Sequence, residues 1–268
     1  METYVIADIG ACHDGEATKM DLAIMAAADA GADAIKFQWT SRPYRMARRR
    51  GRALEDGYGD VYARYLAWPS DWHAGLAGQC RDAGIDYMCT AFLPEDVATV
   101  APHVASFKVA SFEADDAALL EAHVPFRRKR VIVSTGMLDD RGAASVAGLA
   151  RAFGLDAPLL HCVSAYPCPH GELGLAIMRH GRYAGLSDHT RPELTWTGAL
   201  AAAAGARIVE AHLRLDGTDA ANPDFPHAMA PGQFGDYVRN IRFAEACVGD
   251  GRRASACEDA MRRYRVGT

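Results

Sequence analysis

Short apolar runs rich in β-branched residues recur along this chain at regular intervals: 4–9 (YVIADI), 34–38 (AIKFQ), 86–92 (DYMCTAF), 106–110 (SFKVA), 131–135 (VIVST), 159–165 (LLHCVSA), 183–187 (YAGLS) and 207–213 (RIVEAHL). Each has the length and composition of a buried strand. The segments between them, 16–30, 70–84, 94–104, 115–123, 139–153, 172–180 and 192–205, carry apolar positions at helical spacing, and several end on Gly. A last helical pattern covers about 231–247. Glycine stops helices because it adopts the left-handed conformation without a Cβ clash.

Strands that alternate with helices must pair in parallel, since each helix carries the chain back to the starting edge. Eight such units in 268 residues predict a closed α/β barrel, a (β/α)8 TIM barrel, over an open doubly wound sheet. No GxGxxG follows the first strand and no GxxxxGK[ST] occurs, so neither dinucleotide nor P-loop binding is indicated. The barrel is expected to occupy 1–248 as one domain, with 249–268 an Arg- and Gly-containing surface tail. Two connections are unusually long: 40–62, which includes the basic run RMARRRGR at 45–52, and 214–230. Long loops in compact barrels are commonly functional.

The formal net charge of -5 gives no general attraction to nucleic acid or anionic membranes. No apolar stretch approaches the roughly 18 residues of a membrane span, and the N-terminus enters a strand without a leader-like segment. The seven cysteines (12, 80, 89, 162, 168, 247 and 257) form no CxxC pair and read as reduced thiols in a cytoplasmic protein. Only four of the 29 basic residues are lysine, namely Lys19, Lys36, Lys108 and Lys129. Lys36 and Lys108 lie inside apolar strand patterns, where a compact ammonium has a use that a guanidinium does not.

A TIM barrel places its chemistry at the carboxyl ends of its strands. Those ends are polar here. Strand one supplies Asp8, followed by Cys12, His13 and Asp14. Strand two supplies Lys36 and Gln38, strand three Thr90, and strand four Lys108 with Ser111 and Glu113 beyond it. Strand five ends in Ser134 and Thr135, and strand six carries His161, Ser164 and Tyr166. Strand seven gives Ser187, Asp188 and His189, and strand eight Glu210 and His212. Residues two apart share a strand face, so Lys36 and Gln38 point together, as do Glu210 and His212. Such groups cannot be buried unpaired, which implies one shared polar cavity. His189 and His212 end adjacent strands and can converge on one divalent ion, with Asp224 as a nearby carboxylate.

The motifs IADIGACHDG, GADAIKFQ, FKVAS, VIVSTGM, HCVSAYP, GLSDHT and VEAHLRLD…NPD follow one another in the order and spacing of the N-acetylneuraminate (sialic acid) synthase family. The resemblance covers 4–245. It implies an enzyme that condenses phosphoenolpyruvate with the aldehyde of an open-chain sugar, giving a 3-deoxy-2-keto acid and phosphate, assisted by Mn²⁺ or another divalent ion such as Mg²⁺ or Co²⁺. It further implies that His189 and His212 bind the metal. Lys36, Thr90, Lys108, Ser111, Ser134 and Ser187 match its phosphoenolpyruvate contacts, with Gln38 and Glu113 beside them. Ser164, Tyr166 and Asp224 match positions facing the substrates. Two ammonium groups and a ring of hydroxyls suit a small trianion.

Three departures bear on the acceptor. Asp8 stands where the family has Glu, and is implied to be the catalytic carboxylate despite a shorter side chain. Ser164 replaces an Asn. The chain stops where the family's antifreeze-like domain begins, a domain implied to help bind the N-acetyl sugar. Relatives associate through barrel faces, so a homo-oligomer is expected. The Arg run at 45–52 is read as a solvated face, with a phosphorylated or carboxylated acceptor as its functional alternative. Two other readings compete with the synthase: a Schiff-base aldolase using Lys36 or Lys108 as the amine, and a non-catalytic barrel that binds a small anion.

Overall fold

A computed structural model describes residues 2–51, 57–251 and 256–266. Eight parallel strands close in chain order: β1 (Tyr4–Gly10), β2 (Ala34–Trp39), β3 (Asp86–Ala91), β4 (Ser106–Val109), β5 (Val131–Ser134), β6 (Leu159–Cys162), β7 (Gly185–Asp188) and β8 (Ile208–His212), with β8 paired back onto β1. Around them lie α1 (Ala17–Asp29), α2 (Pro43–Arg49), α3 (Tyr58–Leu66), α4 (Trp72–Asp82), α5 (Pro94–Val100), α6 (Ala117–Ala122), α7 (Asp140–Ala152), α8 (Thr197–Ala203) and α9 (Pro231–Val248). A short α10 (Asp259–Arg262) lies in the exposed C-terminal segment. The expected (β/α)8 barrel is the fold observed.

Two local expectations are corrected. The connection 40–62 is partly helical, holding α2 and much of α3. Its arginines mask an apolar face: Met46, Tyr65 and Leu66 pack with Ala11, Phe92 and Leu93 in a separate cluster over one side of the barrel mouth. The segment 172–180, expected to be an α-helix, is instead two 3-10 turns, His170–Glu172 and Leu175–His180. Gly174 and Gly181 flank the second turn in left-handed conformations, which interrupts the ladder of an α-helix.

The alternation of strand side chains builds the interior in tiers. Ile6, Ala34, Met88, Ile132, Leu160 and Ile208 form an apolar plug inside the barrel. Two residues further along the same strands come Asp8, Lys36, Thr90, Ser134, Cys162 and Glu210, joined by Lys108 from β4 and Ser187 from β7. Period-two geometry keeps each of these on the inner face. The outward side chains, Val5, Ala7, Ile35, Phe37, Phe107, Val133 and Val209 among them, pack under the helices in the main core. An apolar floor thus supports a wholly polar tier.

Candidate active site

β7 shows how one strand serves both layers. In GLSDHT, Ser187 and His189 enter the cavity, whereas Asp188 points outward and accepts hydrogen bonds from Tyr237 Oη at 2.8 Å, from Thr197 Oγ1 and from the Thr190 amide. Asp188 therefore ties the strand to α8 and α9, and its neighbours on either side are held toward the cavity. Gly185 at the start of this strand has no room for a Cβ, which would overlap the backbone carbonyl of Ile208.

The polar tier is a network of opposite charges with hardly any access to water. Lys36 Nζ lies 2.7 Å from Asp8 Oδ2 and 3.4 Å from Glu210 Oε2. Lys108 Nζ lies 3.5 Å from Glu210 Oε1 and donates to Ser134 Oγ at 2.7 Å and to the Val109 carbonyl at 3.1 Å. Ser187 Oγ donates to Glu210 Oε1 at 2.9 Å. Glu210 thus stands between both ammonium groups. Burial favours the neutral acid at Glu210, but Lys108 and Lys36 outweigh it and hold its pKa below the ordinary value. Burial works against charge on Lys36 too, yet Asp8 and Glu210 push its pKa up. At Lys108 burial prevails, and its pKa is lowered despite Glu210.

Above this tier opens a cavity of about 530 Å³. Its walls include Asp8, Lys36, Gln38 and Lys108, the hydroxyls of Ser111, Ser134, Ser164 and Ser187, and, toward the mouth, Tyr166, His189, His212 and Asp224. Gln38 donates to Asp8 Oδ2 at 3.2 Å, and Ser111 Oγ accepts the Gly136 amide at 3.0 Å. Gly136 must lack a side chain, because a Cβ there would overlap Ser164 Oγ and press on Ser111 Oγ.

Two residues expected at the site stand elsewhere. Thr90 belongs to the tier but is not on the cavity wall, and its buried hydroxyl has no hydrogen-bond partner among the described residues. Glu113 turns to Arg50, which grips it at 2.6 and 2.9 Å. The Arg50 guanidinium lies 4.7 Å from the Phe112 ring centroid, 5.0 Å from Phe92 and 5.5 Å from Tyr62. Its run-mates are also paired, Arg45 with Glu95 at 2.6 Å and Arg49 with Asp116. Arg52 lies outside the described residues. The basic run therefore pairs Arg45 and Arg49 with carboxylates at the surface and Arg50 with the buried Glu113, and Arg50 joins Tyr58, Tyr62, Tyr65, Phe92 and Phe112 in an aromatic-lined outer wall.

Three imidazoles crowd the other side. The ring centroids of His189 and His212 are 5.2 Å apart, and His227 lies 4.5 Å from His212 and 5.8 Å from His189. Tyr166 covers them, its ring centroid 4.6 Å from that of His189 and the two planes inclined at 64°. His189 Nδ1 contacts Cys162 Sγ at 3.6 Å. Burial would raise the Cys162 thiol, but His189 draws it down to about 7. Burial drives the His212 pKa well below its ordinary value, leaving the ring neutral and free to ligate. Burial, with the nearby Asp8 charge, raises Asp224 to about 6.

His212, Asp224 and His227 each offer one donor atom, all within 4.8 Å of one another. His212 Nδ1 and both His227 nitrogens are buried without a hydrogen-bond partner among the described residues, and a divalent ion fits as the missing neighbour of His212 Nδ1 and of one His227 nitrogen. Gly10, at φ 50°, makes the approach possible; a Cβ would overlap Asp224 Oδ2 and sit 3.1 Å from His212 Nδ1. Strand patterning did not reveal His227 or the central place of Cys162. His227 follows Asp224 by three residues in a loop, where a turn closed by the His227 and Ala228 amides on the Asp224 carbonyl carries it to the same side. A carboxylate three positions before a histidine was the only sequence signal.

Fold and site together define a sialic-acid-synthase-like enzyme. A model described as the NeuB family matches residues 23–253, and the chain belongs to that family. It is 28% identical to pseudaminic acid synthase of Campylobacter jejuni over 94% of this chain and 76% of that protein. It is 27% identical to N,N'-diacetyllegionaminic acid synthase of Legionella pneumophila, covering 94% and 75%, and 26% identical to human N-acetylneuraminate-9-phosphate synthase, covering 92% and 71%. Among solved structures, the N-acetylneuraminic acid synthetase of Leptospira borgpetersenii superposes with a TM-score of 0.87 at 24% identity over 99% of this chain and 92% of that one. The Bacillus subtilis spore coat polysaccharide biosynthesis protein spsE gives 0.76 at 25% identity, over 97% and 77%.

Proposed function

We propose that this protein condenses phosphoenolpyruvate with a sugar-like aldehyde and water, giving a 3-deoxy-2-keto acid and inorganic phosphate. The observation that carries the reading is the arrangement of Lys36 and Lys108 around Glu210 beneath a cavity ringed by serines. A phosphate and a carboxylate on one small molecule need charge-assisted donors at two separated points. Lys108 with Ser134 supplies one such point and Lys36 with Gln38 the other. Asp8, held at Lys36, is placed to take one proton from the water whose oxygen bonds to C2 while C3 bonds to the aldehyde carbon, and to pass it to the new alkoxide. The tetrahedral C2 then releases phosphate by C2–O cleavage as its hydroxyl gives up the second proton to the departing phosphate.

The resemblance names His189 and His212 for a divalent ion, with Asp224 beside them. Such an ion would supply Lewis-acid polarisation of the aldehyde oxygen. Tyr166 shields that side from water, and the outer aromatic wall receives the rest of the acceptor. Because Arg45, Arg49 and Arg50 are already paired, the acceptor that suits the described wall is uncharged where it meets α2 and α3.

A Schiff-base aldolase draws support from the lowered pKa of Lys108, since a neutral amine is the nucleophile. Against it, every group on the Lys108 nitrogen is an acceptor that favours the protonated form. The chain has no helix among the described residues long and apolar enough to cross a membrane, and no disulfide joins its seven cysteines, five of them buried. A cytoplasmic enzyme is the reading kept, and the net charge of -5 gives it no general attraction to nucleic acid or anionic membranes. The barrel unit is assigned to 1–248 and the tail to 249–268, with a homo-oligomer as the assembled form.

The test is phosphate release by purified protein given Mn²⁺, Mg²⁺ or Co²⁺, phosphoenolpyruvate and a panel of aldoses. Release that needs a particular aldehyde supports the synthase. Absence of release over pentoses, hexosamines and nucleoside-derived aldehydes contradicts it. Borohydride trapping of a pyruvyl adduct on Lys36 or Lys108 would transfer the case to the aldolase.

A further inference from the structure

His227 lacks a partner among the described residues. Its side chain is 1% exposed, and neither ring nitrogen has a hydrogen-bond partner among the described residues. The nearest carboxylate oxygen, Asp224 Oδ1, is 4.0 Å from Nε2, too far for a hydrogen bond. His212 Nδ1 is in the same condition, 3.8 Å from Asp224 Oδ2. Buried polar atoms without partners are few in folded proteins, and two neighbouring imidazoles carrying three of them call for a shared electron-pair acceptor. One donor atom from each of His212, His227 and Asp224 lies within 4.8 Å of the other two, a distance a shared ion can bridge.

We propose that His227 is a further imidazole ligand, acting with His212 and Asp224 on the divalent ion of this cavity, and that this donor set selects an imidazole-preferring ion such as Fe²⁺, Co²⁺ or Zn²⁺ over Mn²⁺ or Mg²⁺. The proposal rests on the reading of the cavity as a metal-assisted site, and it adds a ligand that the resemblance does not supply. Magnesium and manganese favour carboxylate and water oxygens, whereas imidazole nitrogens favour the later first-row ions. Each added nitrogen shifts the balance further. His189, with its ring centroid 5.2 Å from that of His212, stands beside this set but is not among its mutually close donors, and its Nδ1 contacts Cys162 Sγ instead. The turn that sets His227 above Asp224 also fixes its backbone, since the His227 amide donates to the Asp224 carbonyl at 3.2 Å. The ligand is therefore in place before any substrate enters, and the ion is held in the resting enzyme.

The test compares Co²⁺ and Mn²⁺ binding to metal-free wild type, His227→Gln and His212→Gln by calorimetry, and counts imidazole nitrogens on bound Cu²⁺ by pulsed electron paramagnetic resonance. Wild type is expected to bind one Co²⁺ at least tenfold more tightly than Mn²⁺. In His227→Gln the Co²⁺ affinity should fall by roughly tenfold or more and the nitrogen count by one. Far-ultraviolet circular dichroism checks that the variants remain folded, and the nitrogen count reads only folded, loaded protein. An unchanged affinity and count in His227→Gln, alongside loss in His212→Gln, would overturn the proposal, as would a wild type that binds no ion. Phosphate release measured in parallel separates the two readings: a wild-type synthase whose metal ignores His227 sinks this inference alone, and a His227-dependent ion without phosphate release sinks the synthase alone.

Discussion

Asp8 Oδ2 and Lys36 Nζ meet at 2.7 Å with side-chain exposures of 2% and 3%. Removing one charge from such a pair leaves the other stranded, at a cost of about 3–5 kcal/mol. Asp8→Ala is expected to lower unfolding stability by that order in urea titrations. An unchanged midpoint would show that Glu210 alone satisfies Lys36.

Asp8 also explains how a shorter acid can serve here. Its Oδ1 accepts the Gly10 amide at 2.9 Å while Oδ2 takes Lys36 and Gln38. Asp8 faces the cavity, so an extra methylene has room, but a longer arm cannot keep the Gly10 amide contact together with those to Lys36 and Gln38, and each hydrogen bond lost costs about 0.5–1.5 kcal/mol. Asp8→Glu should therefore destabilise the protein and lower its turnover, and a gain in turnover would show that the shorter side chain is a handicap.

Lys108 and Ser134 are 2.7 Å apart. Lys108→Met keeps the shape and removes the donor. Losing a charged hydrogen bond worth about 2 kcal/mol weakens phosphoenolpyruvate binding roughly 30-fold, read by calorimetry. Lys108→Arg should not restore it, because a planar fork cannot occupy a pocket filled by one ammonium. Restoration by arginine would argue for simple charge attraction.

Gly10 combines φ of 50° with close contact to Asp224 and His212. Gly10→Ala should cost about 1–2 kcal/mol from the backbone alone and also displace Asp224. Metal affinity should fall more than stability does. Equal metal affinity in the variant would remove Asp224 from the ligand set.

Stability should also fall in mild acid. Burial lowers His13, His73 and His123 each to about 4 from an ordinary value of 6.5. These rings stay neutral when folded and take up protons when unfolded, so their contribution is complete above pH 6.5 and is lost as pH falls toward 4. The urea midpoint should decrease between pH 7 and pH 4.5, and His123→Gln should make the decrease shallower. A slope unaffected by that substitution would assign the acid sensitivity to carboxylates.

The barrel was legible because period-two apolar runs and helical spacing alternate so regularly, and the tier of Asp8, Lys36, Lys108, Ser134, Ser187 and Glu210 follows from one rule applied strand by strand. Residues outside the strands escaped that rule. The partner of Glu113 was hidden because Arg50 lies 63 positions away in a loop whose arginines mask a short helix. His227 was hidden because its direction is set by a turn, and no periodicity reports where a loop side chain points. The arginine run was read as a solvated face, which suits the partly exposed Arg45 and Arg49, but its pairing with Glu95, Glu113 and Asp116 and the burial of Arg50 were beyond what a charge run reports.

The most direct measurement is a crystal structure of the protein soaked with phosphoenolpyruvate. The account predicts its phosphate or carboxylate within hydrogen-bond distance of Lys108 Nζ and Ser134 Oγ, its other anionic group at Lys36, and its methylene carbon open to the side where His189, His212 and Asp224 stand. Density for phosphoenolpyruvate outside this cavity, or an empty tier at saturating concentration, would contradict it.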